Sequence, residues 1–294
     1  MSTDSERAGQ PAAAPSGDAV SHVEGYLPGS RGVALYWQAW LPAAIRAAVV
    51  LAHGGLEHSS RYAHVAGRFA DAGLATYAVD FRGHGRSSGR AGQIQRMSLL
   101  VDDLRRLVGL VGEQHPGLPV FLVAHSLGAM VALEYVVSGD RDLAGLVLSA
   151  TGIDVSGIPP LQAKLAKAIS AVAPNLGLVA VSSDGLSRDP AVVRAYEDDP
   201  RVFRGKAPAR TLAELLESAE RVAPRLGTVR LPLLVLQGGA DVIVAPAGAR
   251  LVHERAGSRD KTLNVYDGLY HEIFNEPEKD TVLGDVVDWV TARI

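Results

Sequence analysis

Three side chains far apart in the chain could together cleave an acyl bond: Ser126, Asp241 and His271. A serine hydroxyl is a weak nucleophile at neutral pH, so it needs a base to take its proton and an acid to orient that base. Each of the three stands just past a short apolar run. Ser126 lies in the stretch FLVAHSLGAM, where five strand-like residues lead into a serine flanked by small residues and a helical pattern begins at once. Ala124-His125-Ser126-Leu127-Gly128 resembles the Gly-x-Ser-x-Gly turn that presents a nucleophile between strand and helix, with alanine for the first glycine. Read alone, the same serine would serve equally well as a helix cap.

Asp241 follows the run Leu233 to Leu236 through Gln237-Gly238-Gly239-Ala240, and His271 follows Thr262 to Tyr266 through Asp267-Gly268-Leu269-Tyr270. Singly they read as a turn residue and a surface histidine. Jointly they fall in the order serine, acid, histidine, each one loop beyond a successive strand. Asp154, a few residues beyond Leu146 to Leu148, is the rival acid; Asp241 is preferred because its loop follows its strand more tightly. Acyl transfer also needs donors for the oxyanion, each contributing about 3 kcal/mol. The Leu127 backbone N–H is one by construction of the turn. Gly55, in His53-Gly54-Gly55-Leu56 after the run Ala47 to Ala52, is the second, since glycine lets backbone approach a substrate.

The elements that must position these residues are legible as apolar runs. Ala47 to Ala52, Leu74 to Val79, Val120 to Ala124, Leu146 to Leu148 and Leu233 to Leu236 are apolar on both faces, as buried parallel strands are. Helical spacing occupies Tyr62 to Ala72 and Leu99 to Val111. Strand alternating with helix predicts an α/β fold with a mostly parallel, doubly wound sheet. The alternation breaks between Leu148 and Leu233, where about eighty residues exceed what one crossover requires and imply an inserted helical cap. Within it Leu161, Leu165, Ile169, Val172 and Leu176 share a helical face while Lys164 and Lys167 lie elsewhere, and Pro174 should kink or end that helix. The division reads as a disordered tail over 1–22, a core over 23–150 and 228–294, and a cap over 151–227.

Composition narrows the function. With 47% hydrophobic residues, 21% charged and a net charge of -3, the 294-residue chain has no electrostatic bias toward nucleic acid. The absence of cysteine excludes thiol nucleophiles, disulfides and cysteine metal sites, and fits a reducing compartment. Residues 1–20 lack the basic-then-apolar order of a signal peptide. The longest uncharged run, Ala168 to Ser183, is broken by Pro174, Asn175 and Gly177 and falls short of the roughly 20 apolar residues of a spanning helix. A cytoplasmic location is expected. No metal is implied, because His53 and His58 stand in a glycine-bearing loop and no His-x-x-x-His pair with its glutamate occurs.

With turn, acid, base and His-Gly loop in order, the chain resembles the α/β-hydrolase superfamily and, within it, the monoacylglycerol lipases, including the actinobacterial type. The resemblance runs from about Gly32 to the C-terminus. It is carried by the nucleophile turn, by His53-Gly54-Gly55-Leu56-Glu57-His58-Ser59-Ser60-Arg61-Tyr62, by Asp80-Phe81-Arg82-Gly83-His84-Gly85-Arg86-Ser87 and by Gly268-Leu269-Tyr270-His271-Glu272-Ile273-Phe274-Asn275-Glu276. Ser187-Arg188-Asp189-Pro190, Tyr196 and Asp199-Pro200 look like the cap of these lipases.

The resemblance implies an α/β-hydrolase fold and a cofactor-free enzyme that cleaves monoacylglycerol to glycerol and fatty acid through an acyl-enzyme. Ser126 would attack, His271 would carry the proton, Asp241 would fix the imidazole, and Gly55 and Leu127 would hold the oxyanion. Glu57 and Arg61 match positions near the glycerol end of the pocket, and they could equally be a helix-start pair holding each other. Phe274 stands where vertebrate members carry a second histidine. Asp80, Arg82 and His84 look like scaffold that braces the strand-end loops. The apolar face of the cap could cover an acyl chain, where four methylenes at about 0.8 kcal/mol each contribute near 3 kcal/mol; it could rest on a bilayer; or it could pack on the core. A lysophospholipase or general carboxylesterase is the runner-up, and a non-catalytic ligand-binding homologue is more remote because Ser126, Asp241 and His271 are all present.

Overall fold

A computed structural model describes residues 20–139 and 142–294. Most of the expected N-terminal tail therefore lies outside the described residues, but Ser21 and His22, assigned to it, begin a strand. That strand, β1 (Ser21–Pro28), pairs antiparallel with β2 (Ala34–Leu41). The chain then alternates through β3 (Ala47–Ala52), α1 (Ala63–Ala70), β4 (Leu74–Val79), α2 (Met97–Gln114), β5 (Val120–His125), α3 (Leu127–Val137) and β6 (Gly145–Ser149). An inserted segment follows with α4 (Pro160–Val172), β7 (Gly177–Val179), α5 (Pro190–Asp198), β8 (Ala207–Pro208) and α6 (Ala209–Val222). The chain returns to the sheet with β9 (Leu233–Gly238), α7 (Ala247–Arg255), β10 (Lys261–Tyr266) and α8 (Lys279–Thr291).

The eight-stranded sheet has the order β1-β2-β4-β3-β5-β6-β9-β10, antiparallel at its first two junctions and parallel beyond them. Every residue of β3, β4 and β5 is buried, so successive side chains feed opposite layers. Val50 and Leu122 enter the layer with Leu104 of α2 and Met130 of α3, while Val49 and Phe121 enter the layer with Phe69 of α1 and Val286 of α8. Each such side chain contributes about 1.5–3 kcal/mol by leaving water. The direction of winding reverses at β3, which lies between β4 and β5, and in such sheets the crevice at the strands' carboxyl ends takes the ligand. The loops after β3 and β5, bearing Gly55 and Ser126, leave from that point.

The inserted segment divides in two. α4 ends at Val172, just before Pro174, and packs against α6. Its apolar stripe is turned outward, with Leu161 78%, Leu165 57% and Val172 85% exposed. Residues 185–204, by contrast, lie along the loops that emerge from the sheet, as detailed below.

Candidate active site

The turn between β5 and α3 forces Ser126 into a left-handed conformation, φ 51° and ψ -113°, which costs a residue with a side chain about 1–3 kcal/mol. Neighbours hold it there. Its N–H donates to the Ser149 carbonyl of β6 at 2.8 Å, and its carbonyl accepts from Met130 N at 3.2 Å. A Cβ at Gly128 would come within 2.3 Å of the Ala52 carbonyl oxygen, so α3 can approach β3 this closely only with glycine there. Ala124 is ordinary strand, paired with Ala52 and Leu148. The alanine that departs from the Gly-x-Ser-x-Gly pattern therefore sits in backbone that does not require glycine.

The loops after β9 and β10 bring Asp241 and His271 to this serine. His271 Nε2 lies 3.0 Å from Ser126 Oγ, and His271 Nδ1 lies 2.8 Å from Asp241 Oδ2. A carboxylate only accepts, so the imidazole proton belongs on Nδ1 and Nε2 is left to accept from the serine hydroxyl. Asp241 Oδ1 takes the Ile243 and Val244 N–H groups at 2.8 and 2.9 Å, and Oδ2 also takes Gln237 Nε2 at 3.0 Å. Burial alone would raise the Asp241 carboxyl, but His271 and these two N–H groups outweigh it and hold the group below the usual aspartate range. Asp154 is not joined to this chain of bonds; its Oδ1 accepts from Ser156 N at 2.9 Å.

Leu127 is the first residue of α3, so its N–H is one of the helix donors without an intrahelical acceptor. Gly55 faces it across a short gap, since a Cβ on Gly55 would lie 3.7 Å from Leu127 Cβ. The Gly55 loop is fixed from below by Glu57, whose Oε1 accepts from Gly54 N at 2.7 Å.

Glu57 and Arg61 do hold each other, at 2.5 Å, but as part of a larger cluster. Arg61 also grips both oxygens of Glu272 at 2.6 and 2.7 Å and lies 4.9 Å from the centroid of the Tyr196 ring in α5. The Tyr62 hydroxyl donates to Glu57 Oε1 at 2.6 Å. Burial works to raise the Glu57 carboxyl, yet its neighbours together, the Arg61 charge first and the Tyr62 hydroxyl among them, outweigh it and keep the group low, so it is an ionised partner at neutral pH. Arg61 lines a cavity of about 250 Å³ together with His58, Ser60, Asp199 and Asn275.

Asp80 receives Ser59 N and Arg86 N, each at 2.8 Å, Arg82 pairs with Asp103, and His84 Nδ1 lies 3.0 Å from the Arg82 carbonyl. These contacts are those of a brace between loops.

Two neighbours of the triad were not singled out from sequence. The His125 ring lies tilted against that of His271, 4.8 Å between centroids, with Nδ1 3.1 Å from Ser149 Oγ, and burial followed by the nearby His271 pushes it down to about 3. It therefore stays neutral beside the His271 ring. Gln237 is the donor on Asp241 noted above. Its signal was available: a fully buried amide at the end of an apolar strand must have a partner.

A strained serine between strand and helix, bonded to a histidine and an aspartate from later strand-end loops, defines the serine hydrolase class on an α/β-hydrolase sheet. Residues 43–278 match the family model described as serine aminopeptidase, S33. The chain is 40% identical over 268 residues to the monoacylglycerol lipase of Mycolicibacterium smegmatis, covering 90% of this chain and 96% of that one. It is 33% identical to the human monoglyceride lipase, covering 91% of this chain and 90% of that one. The crystal structure of the Paleococcus ferrophilus monoacylglycerol lipase superposes with a TM-score of 0.77 at 27% identity, over 94% of this chain and 100% of that one. The chain belongs to the monoacylglycerol lipase family of α/β-hydrolases.

Proposed function

We propose that this protein hydrolyses monoacylglycerol to glycerol and a free fatty acid, with Ser126 as nucleophile, His271 as base and Asp241 as its orienting acid. The observation that carries the reading is the unbroken relay from Ser126 Oγ through His271 to Asp241, at 3.0 and 2.8 Å. As Ser126 Oγ attacks the ester carbonyl carbon, its proton passes to His271 Nε2. The electron pair of the carbonyl moves onto oxygen, where the N–H groups of Gly55 and Leu127 stabilise it. Collapse expels the glycerol oxygen, which takes the proton back from His271. Water then attacks the acyl-enzyme carbonyl, giving its proton to His271, and collapse breaks the bond to Ser126 Oγ, which takes that proton back as the fatty acid leaves. Asp241 stays ionised throughout and stabilises the imidazolium.

The inserted segment, residues 151–227, serves as the cap, and Glu57 and Arg61 stand on the glycerol side. The outward stripe of α4 supports contact with the bilayer that supplies the substrate, since an exposed apolar face flanked by lysines suits an interface. Among the described residues no helix is long and apolar enough to cross a membrane. The protein works from the cytoplasm at the membrane surface.

Initial rates of fatty-acid release from monoolein, diolein, triolein and lysophosphatidylcholine test the reading, with Ser126→Ala as the blank. Preference for monoolein is expected. A higher rate on lysophosphatidylcholine would make this a lysophospholipase, and turnover of short soluble esters alone would make it a general carboxylesterase.

A further inference from the structure

Two sequence motifs have no part in the relay: Ser187-Arg188-Asp189-Pro190 of the inserted segment and Asn275-Glu276-Pro277 beyond the histidine. The fold brings them together. Glu276 is fully buried, and its carboxylate joins three donors from two segments. Oε1 accepts from Tyr270 N and from Arg188 N, both at 3.0 Å, and Oε2 accepts from Arg188 Nε at 2.9 Å. Tyr270 immediately precedes His271. The Arg188 guanidinium also reaches Glu278.

The contact continues along the chain. Glu272 N donates to the Leu186 carbonyl at 2.8 Å, His271 N to the Gly185 carbonyl at 3.4 Å, and Ser187 Oγ to the Asn275 carbonyl at 3.2 Å. On its other side the same segment meets the loop of Asp241. A Cβ on Gly185 would lie 2.9 Å from Val242 Cγ2, and Leu186 packs with Ile243. Residues 185–188 are thus wedged between the loops that carry the acid and the base.

We infer that Arg188 and Glu276 are positioning residues, which hold His271 within reach of Ser126 by clamping its loop to the inserted segment. The inference rests on the reading of Ser126 and His271 as nucleophile and base. Beyond the end of β10, His271 has no strand or α-helix of its own to fix it. The bonds to residues 185–188 supply that constraint. A buried carboxylate is costly unless fully paired, and this one is paired at both oxygens to the loop of the base and to the inserted segment.

The test uses the full chain with Arg188→Ala, Arg188→Lys and Glu276→Gln. Three quantities are read: kcat and KM on a short soluble ester, the rate of fluorophosphonate labelling, and the thermal unfolding midpoint. A misplacement of the base predicts that Arg188→Ala lowers kcat and labelling rate by about 100-fold while KM moves less than about twofold. Arg188→Lys retains a charged donor and should recover roughly tenfold of that loss, with Glu276→Gln between the two. Lys167→Ala, which breaks an exposed tie between α4 and α6, should leave both rates unchanged. Should Arg188→Ala fail to fold, the lysine and glutamine variants carry the comparison. Variants that melt earlier yet keep wild-type kcat and labelling rate would overturn the inference and leave the clamp a fold contact only. Wild-type protein that takes up no probe would overturn the hydrolase reading itself, and the inference with it.

Discussion

The two halves of the inserted segment treat their side chains in opposite ways. Around α4, residues 158–181 turn Ile158, Leu161, Leu165, Val172, Leu176 and Val179 to the outside, and α4 is tied to α6 by the exposed pair of Lys167 and Glu220. Residues 185–204 instead bond to the loops that bear Gly55 and His271 and pack against that of Asp241. Gly185 and Leu186 hold the His271 loop, Asp199 accepts from His58 at 2.8 Å, and Phe203 N donates to the Leu56 carbonyl at 2.9 Å. One half is built for precision and the other for surface. The half that fixes the loops is distinct from the half that meets the outside.

The largest effect that would break this contrast concerns the two aspartates. Asp241 lies in a loop touched by the docked half, and Asp241→Asn should lower kcat by about ten-thousand-fold because His271 loses its tautomer. Asp154→Asn, at the root of the outward half, should stay within about twofold, as surface changes usually do. Rates on a soluble ester decide this, and the reverse pattern would move the acid.

A second effect appears as acid stability. Burial holds His125 at about 3 and His84 at about 4, against 6.5 for a free imidazole. The unfolded chain binds protons at these sites below pH 6.5 and the folded chain does not, so stability falls as pH drops from 6.5 toward 4 and then 3. Each unit of depression corresponds to about 1.4 kcal/mol. Urea unfolding across this range should show the slope, and His125→Asn should flatten it.

The outward half should matter only for aggregated substrate. Leu165→Asp is expected to slow release from emulsified monoolein by about tenfold, the scale of one or two buried methylenes, with no change on a soluble ester. An equal loss on both substrates would mean that the stripe serves the pocket. The smallest effect is Lys167→Ala, where an ion pair this exposed contributes about 0.2–1 kcal/mol. Thermal melting should register a shift of that order.

Much of this was readable from residue order. The runs Ala47 to Ala52 and Leu74 to Val79 are strands over their whole length, because strands apolar on both faces have one place to go in a layered fold. The order of Ser126, Asp241 and His271 was likewise legible, since each follows such a run. β1 was hidden: it is an edge strand, mostly exposed, and without the apolar pattern that burial imposes. The fate of the α4 stripe was open because periodicity reveals a face but not what lies against it. Glu272 could not be joined to Arg61 beforehand, as the two are 211 residues apart and only the fold brings them together. For the same reason the pairing of Glu57 with Arg61 reads from sequence as a weak helix-start contact, whereas burial makes it part of a cluster of two carboxylates and one guanidinium beside Tyr196.

The most direct test is covalent. Fluorophosphonate-treated wild-type protein, digested and mapped by mass, should carry the adduct on the peptide containing Ser126, and Ser126→Ala should carry none and release no fatty acid from monoolein. Undiminished labelling or turnover in Ser126→Ala would contradict the account, because the nucleophile would then lie elsewhere in the chain.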